Sequence, residues 1–342
     1  MVAESVSSES TLPIASSDGR GWRQLSIPER ISSISGIYLY HPQAKTLLER
    51  LMHSFHAARS GPGMGIAIYG PPNTGITSLV REFSRQHPMQ ERKPVAFQPV
   101  IVSTPTANLS SGGLAESIAC DARWPTFTRN MGQKLPEFQV EHLLRQSGTR
   151  MLFLVRASLL ANGRSGIAPE SIPFLINLFD RGAATFVLAG GGDLPDLLKK
   201  CPDLDGRFFK RMQLEPLAMD DHWRAMIKTL SSQLPFEETE LNKDDMPERL
   251  HNASEGKPPM LTRLTEEAAT VAYYSERSKI LRVEHFRTAF ERNRPGEINP
   301  FAPALAVSRL RSRQTQAAET AKHDALRIAN RSLDKAGFAN LM

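Results

Sequence analysis

Apolar positions cluster in short unbroken runs through the first two thirds of the chain. Gly65-Ile-Ala-Ile-Tyr69 ends on Gly70. Pro94-Val-Ala-Phe-Gln-Pro-Val-Ile-Val-Ser103 and Arg150-Met-Leu-Phe-Leu-Val155 follow, and Ala184-Thr-Phe-Val-Leu-Ala189 ends in Gly190-Gly-Gly192. Runs of this length without alternation predict strands buried on both faces. Between them the period lengthens. Tyr40–Met52 reads as an amphipathic helix leading to the first strand, and Thr77–Arg85 carries Leu79, Val80 and Phe83 at helical spacing. Gly113–Cys120, Glu137–Gln146 and Pro169–Asp180 are further predicted helices. Strands alternating with helices predict an α/β domain with a parallel sheet covered on both faces.

Beyond Leu217 the strand-like runs stop. Asp220–Leu230, Lys243–Asn252, Pro259–Tyr274 and Val283–Arg292 are helical by spacing, with Asp220 or Asp221 placed to cap the first. This predicts a small all-helical second domain. The expected layout is a Ser-rich flexible arm over 1–30, an α/β core over 31–216, a helical domain over 217–298 and a basic tail over 299–342.

The loop after the first strand carries the candidate chemistry. Gly70-Pro-Pro-Asn73-Thr74-Gly75-Ile76-Thr77-Ser78 keeps the spacing G-x-x-x-x-G-K-[ST] with isoleucine at the lysine position. In that motif the backbone N–H groups cradle phosphate, the lysine reaches the β/γ oxygens and the hydroxyl holds Mg²⁺. Ile76 has neither charge nor donor. Strand, glycine loop and helix follow in the order the motif needs, so the fold is expected and hydrolysis is not. Two readings stay open: residual weak binding of ATP or ADP, or glycines kept only to turn the chain into its helix.

Composition narrows the classes. The 342 residues are 40% hydrophobic and 23% charged, as in an ordinary globular protein. No apolar run approaches the roughly 20 residues of a membrane span, and the first residues lack the pattern of a secretory signal. Cys120 and Cys201 make no disulfide framework or metal set and read as small buried apolar residues, so a cytoplasmic location is expected. His41, His53, His56 and His142 have no ligand-like spacing. The formal charge is +6. The basic surplus lies in Ser278–Arg294, with Lys279, Arg282 and Arg287 as candidate DNA contacts, and in the tail from Arg309 to Lys335.

Taken in order, several landmarks resemble the TniB/TnsC family of AAA+ transposition regulators, from about Tyr40 to Pro300. Tyr40-His-Pro42 resembles the lead-in, Gly70–Thr77 the Walker A loop, and Pro94-Val95 through Thr104-Pro105 the second strand. Leu152–Gly163 resembles Walker B, Gly190–Leu194 the sensor-1 strand end, and Asp205-Gly-Arg207-Phe208 the box that supplies an arginine finger. Leu234-Pro235-Phe236 and Ser254-Glu-Gly256 resemble the lid, and Asn299-Pro-Phe301 the C-terminal boundary.

The resemblance implies an AAA+ core followed by a helical lid, and an Asp-Glu pair at the end of Walker B. Here those positions are Val155 and Arg156, or Arg156 and Ala157 in a register shifted by one. Neither register offers a carboxylate to hold Mg²⁺ or orient water. Arg207 is the arginine-finger candidate, with a surface or core-rim arginine as the alternative; the neighbouring Phe208 and Phe209 read as core. The resemblance further implies a pseudo-ATPase acting in DNA transposition. Its partners would be double-stranded DNA, transposase, target-selection proteins and homo- or hetero-oligomeric AAA+ subunits, with no membrane. The competing readings are a protein-only adaptor and an ATPase with unorthodox ligands.

Overall fold

The computed structural model describes residues 21–57, 65–93, 95–105, 111–124, 137–161, 167 and 171–303. The predicted contacts in the tail from Arg309 to Lys335, together with Gly163 and Pro169, lie outside the described residues. Two compact units emerge. One comprises Tyr38–Met226 with Gly256–Met260. The other comprises the described parts of Met1–Ile37, Ile227–Glu255 and Leu261–Met342.

The first unit is an α/β layer structure. Its strands are β1 (Gly65–Gly70), β2 (Val100–Ser103), β3 (Met151–Val155), β4 (Thr185–Gly191) and β5 (Lys210–Gln213). They form one parallel sheet in the order β2-β3-β4-β1-β5. Its helices are α2 (Pro42–Ala57), α3 (Ile76–Arg85), α4 (Ser111–Asp121), α5 (Glu137–Gln146), α6 (Ile172–Asp180), α7 (Leu194–Lys199) and α8 (Pro202–Asp205), and α9 (Asp221–Gln233) begins in it. Successive strand side chains go to opposite faces. Met151, Phe153 and Val155 join Leu47, Leu51, Leu79 and Phe83 from α2 and α3, while Leu152 and Leu154 join Leu114, Ile118, Leu144 and Leu175 from α4, α5 and α6. Both faces are apolar, which is why these strands show no alternation in sequence.

Two expectations need correction here. The strand expected over Pro94–Ser103 is confined to Val100–Ser103, because Phe97 turns back to pair antiparallel with Gln90 and Pro99 has no N–H for a ladder. Cys201 is buried as expected, but Cys120 is exposed. The buried face of α4 is made by Leu114, Ala115, Ile118 and Ala119, and Cys120 falls off it.

The second unit holds α1 (Ile27–Ser35), α10 (Met246–Ser254), α12 (Val283–Asn293) and most of α11 (Pro258–Thr270), which ends in a π-helical turn over Val271–Ser275. Among its described residues it is helical except for one parallel pair of two-residue strands, β6 (Glu238–Thr239) and β7 (Ile280–Leu281). The Tyr273 ring stacks on Phe236 at 4.6 Å and its hydroxyl donates to the Pro235 carbonyl. The segment Asn299–Ala302 is clasped onto the helical unit. Phe301 is 3% exposed, with ring centroids 5.5 Å from Phe286 and 6.2 Å from Phe290. Asn299 Nδ2 donates to the Arg287 carbonyl and to Glu291, Asn299 Oδ1 accepts the Phe301 N–H, and Arg249 Nη1 donates to the carbonyls of Pro300 and Ala302.

Candidate phosphate-loop site

The site lies at the C-terminal edge of the sheet, where β1 runs into α3. Gly70 is fixed by close approach: a Cβ there would stand 2.1 Å from the Leu214 carbonyl oxygen. That carbonyl is held in place because the Leu214 N–H donates to Tyr69 O at 2.9 Å. Asn73 and Gly75 both have positive φ, +65° and +110°, and the second is a conformation suited to glycine. Thr74 is 2% exposed, and its hydroxyl donates to Pro71 O at 2.9 Å, closing the loop on itself. The helix starts where the Leu79 N–H reaches Gly75 O at 2.8 Å.

Ile76 follows, half-buried, and packs against the cluster that includes Leu79, Val155, Val187 and Ala189. Thr77 and Asn73 are exposed and Ser78 is half-buried. The motif's lysine position is therefore filled by an alkyl chain that belongs to the core. The α3 helix is tied to the lead-in through Glu82, a buried carboxylate that accepts from Tyr40, Arg85 and Gln86. Burial raises its pKa, but those hydrogen bonds more than offset this and hold the carboxyl below its ordinary value.

Two strands away, β3 ends with Val155 buried against the same cluster. Arg156 is exposed and left-handed, at φ +55° and ψ +43°. Between β3 and β1 lies the end of β4, with Val155 level with Ala189 and Gly70 level with Gly191. The polar group that this edge does hold is one the sequence reading missed. Asp193 accepts from Ser158 Oγ at 3.1 Å, just beyond the glycine run. A Cβ on Gly191 would stand 2.6 Å from that carboxylate, so the glycine makes room for it. The signal was present, since an acid directly follows the glycines that end a strand.

These residues do not fit a Mg²⁺-triphosphate. Ile76 supplies no donor, Val155 and Arg156 supply no carboxylate, and a lone Asp193 already serves Ser158. Among the described residues no group of His, Cys, Asp and Glu is arranged to hold a metal ion.

The remaining candidates lie elsewhere. Arg207 stands at the opposite end of β1, since a Cβ on Gly65 would meet its carbonyl oxygen at 2.5 Å. The six-residue strand separates it from the loop by about 17–20 Å. Its guanidinium grips Asp180 with both arms, Nε to Oδ1 at 2.9 Å and Nη2 to Oδ2 at 2.8 Å. Hydrogen bonding from Arg207 lowers the Asp180 pKa. Phe208 is core, but Phe209 is 87% exposed, which corrects the expectation that both are buried. Phe208 ends the turn after α8, its N–H reaching the Leu204 carbonyl at 3.1 Å, and Phe209 leads out of it into β5. Lys279 is exposed and paired with Glu237 at 3.3 Å. Arg282 is exposed before α12, and Arg287 shares the outer face of α12 with Glu284 and Glu291.

The profile of the bacterial TniB protein matches residues 30–217, more than half of the chain. The chain belongs to the TniB family. That match covers the sheet, the loop and Arg207. No curated protein matches by sequence. Among solved structures, Cdc6p from Pyrobaculum aerophilum aligns with a TM-score of 0.57 at 16% identity, over 76% of this chain and 70% of that one. The Aeropyrum pernix ORC1 protein in complex with DNA aligns with a TM-score of 0.55 at 16% identity, over 75% and 66%. The Aeropyrum pernix ORC2 protein in ADPNP–ADP complexes aligns with a TM-score of 0.52 at 14% identity, over 78% and 72%. At these identities the likeness establishes the fold, an AAA+ P-loop core. Among the described residues no helix is long and apolar enough to cross a membrane.

Proposed function

We propose that this TniB-family chain is a non-hydrolysing AAA+ factor that acts on duplex DNA in transposition, alongside a transposase, target-selection proteins and AAA+ subunits of its own or another kind. The observation that carries the reading is the apolar replacement of the catalytic set. Ile76 packs into the core, Val155 is buried beside it, and neither register at the end of β3 offers a carboxylate. Without a lysine in the loop or an acid to place metal and water, the γ-phosphoryl group lacks the set that offsets its charge and positions the attack on it. Family membership supports the transposition context, and the DNA complex of one AAA+ neighbour supports duplex contact.

The test is phosphate release by the full chain with ATP, Mg²⁺ and duplex DNA. We expect turnover no higher than a no-protein control. Turnover that disappears in Thr77→Ala would reject the reading. Duplex binding is expected with a dissociation constant of about 10⁻⁴–10⁻⁶ M, and it should weaken steeply with salt because backbone contacts release counterions. A second reading has an observation in its favour. The pairing of Lys279 with Glu237, and the acids flanking Arg287, suit an adaptor that contacts only protein. Absence of duplex binding at low salt, with the chain folded, decides for that adaptor.

A further inference from the structure

We infer that the chain plugs its own phosphate loop: Pro259, in the first turn of α11, takes the space over Gly75 that a bound nucleotide's phosphates would need. The segment Gly256–Met260 belongs to the same compact unit as the loop, although it follows Met226 by some thirty residues. A Cβ built on Gly75 would stand 3.4 Å from Pro259 Cγ and 3.6 Å from Cδ, so the proline ring lies against the residue that opens α3. An anion on a helix N-terminus sits about 3 Å from the first-turn N–H groups. A ring that stands a van der Waals distance beyond where a Gly75 Cβ would lie crowds the approach to that position.

The plug is held rigidly. The Gly256 carbonyl accepts the Leu217 N–H at 2.8 Å. Glu255 and Gly256 are consecutive left-handed residues, at φ +56° and +67°, and set the direction of the turn. Gly256 and Pro258 are buried, and two successive prolines restrict the backbone further. On the far side of the loop Ile76 is drawn into the core and Leu214 closes on Gly70, so neither wall needs a ligand to complete it.

This inference rests on the non-hydrolysing reading and adds a cause for it: the loop is occupied by protein, and its closed form needs no nucleotide. ADP and ATP are titrated calorimetrically, with and without Mg²⁺, into the full chain, Pro259→Ala and Pro259→Gly. Hydrogen exchange of peptides covering Pro71–Leu79 is followed in each. Wild type is expected to give no saturable binding. Pro259→Gly is expected to bind ADP and to exchange its loop amides faster, on the order of tenfold. Alanine is the best helix former and keeps the start of α11, so Pro259→Ala decides if the glycine variant fails to fold. Saturable binding by wild type would show the loop open and overturn the plug. So would variants that fold, bind nothing and exchange at the wild-type rate. Neither result touches the phosphate-release test, so the plug and the non-hydrolysing reading fail separately.

Discussion

His41 illustrates how one residue's burial becomes a pH dependence. It is 5% exposed at the start of α2, and its Nδ1 accepts the Ala44 N–H. Burial lowers its pKa from 6.5 to about 4. Between those values the unfolded chain binds the proton and the folded one does not, so stability falls as pH drops from 6.5 and levels off below 4. The loss is at most about 3–4 kcal/mol. Urea denaturation across this range should show it, and His41→Asn, which keeps an acceptor at the helix start, should flatten the curve. An unchanged curve would place the dependence elsewhere. Phe301 makes a simpler case. Removing a fully packed ring costs about 3–4 kcal/mol, and Phe301→Ala should lower the urea midpoint correspondingly.

The pairing of Arg207 with Asp180 joins the end of α6 to the approach of β5. Both side chains are partly exposed, so water screens the pair and it adds little to stability. Arg207→Ala is therefore expected to leave the urea midpoint almost unmoved and self-association unchanged in the ultracentrifuge. Loss of assembly in Arg207→Lys would instead assign the guanidinium to a neighbouring subunit. At this scale the sequence was readable wherever an element buries two faces or one stripe. The runs that became β1, β3 and β4 needed no partner to be recognised, and Leu79, Val80 and Phe83 marked α3 alone. What escaped was set by distant chain. β6 and β7 are two residues each and exist because their partners meet. The shortening of β2 depends on Gln90 reaching Phe97. Within the site, the missing lysine and carboxylates were legible as residue types. The approach of Pro259 to Gly75 was not, because no local pattern links residues so far apart.

For the molecule as a whole, the groups absent on the proposed non-hydrolysing reading fall at the loop and at the end of β3, so restoring one position is not expected to create hydrolysis. Ile76→Lys alone is expected to yield no phosphate release, since metal and water remain unplaced. The fair comparison is Ile76→Lys combined with Val155→Asp and Arg156→Glu. Strong turnover by the single variant would mean that the carboxylates come from residues other than those at the end of β3. The clasp at Asn299–Phe301 has a mechanical side. Tension on the chain beyond Pro303 meets the bond from Arg249 to the Ala302 carbonyl first, and then Phe301 with its ring contacts to Phe286 and Phe290 of α12. The segment Asn299–Ala302 is in effect a handle, gripped by one ring and by the hydrogen bonds of Asn299 and Arg249.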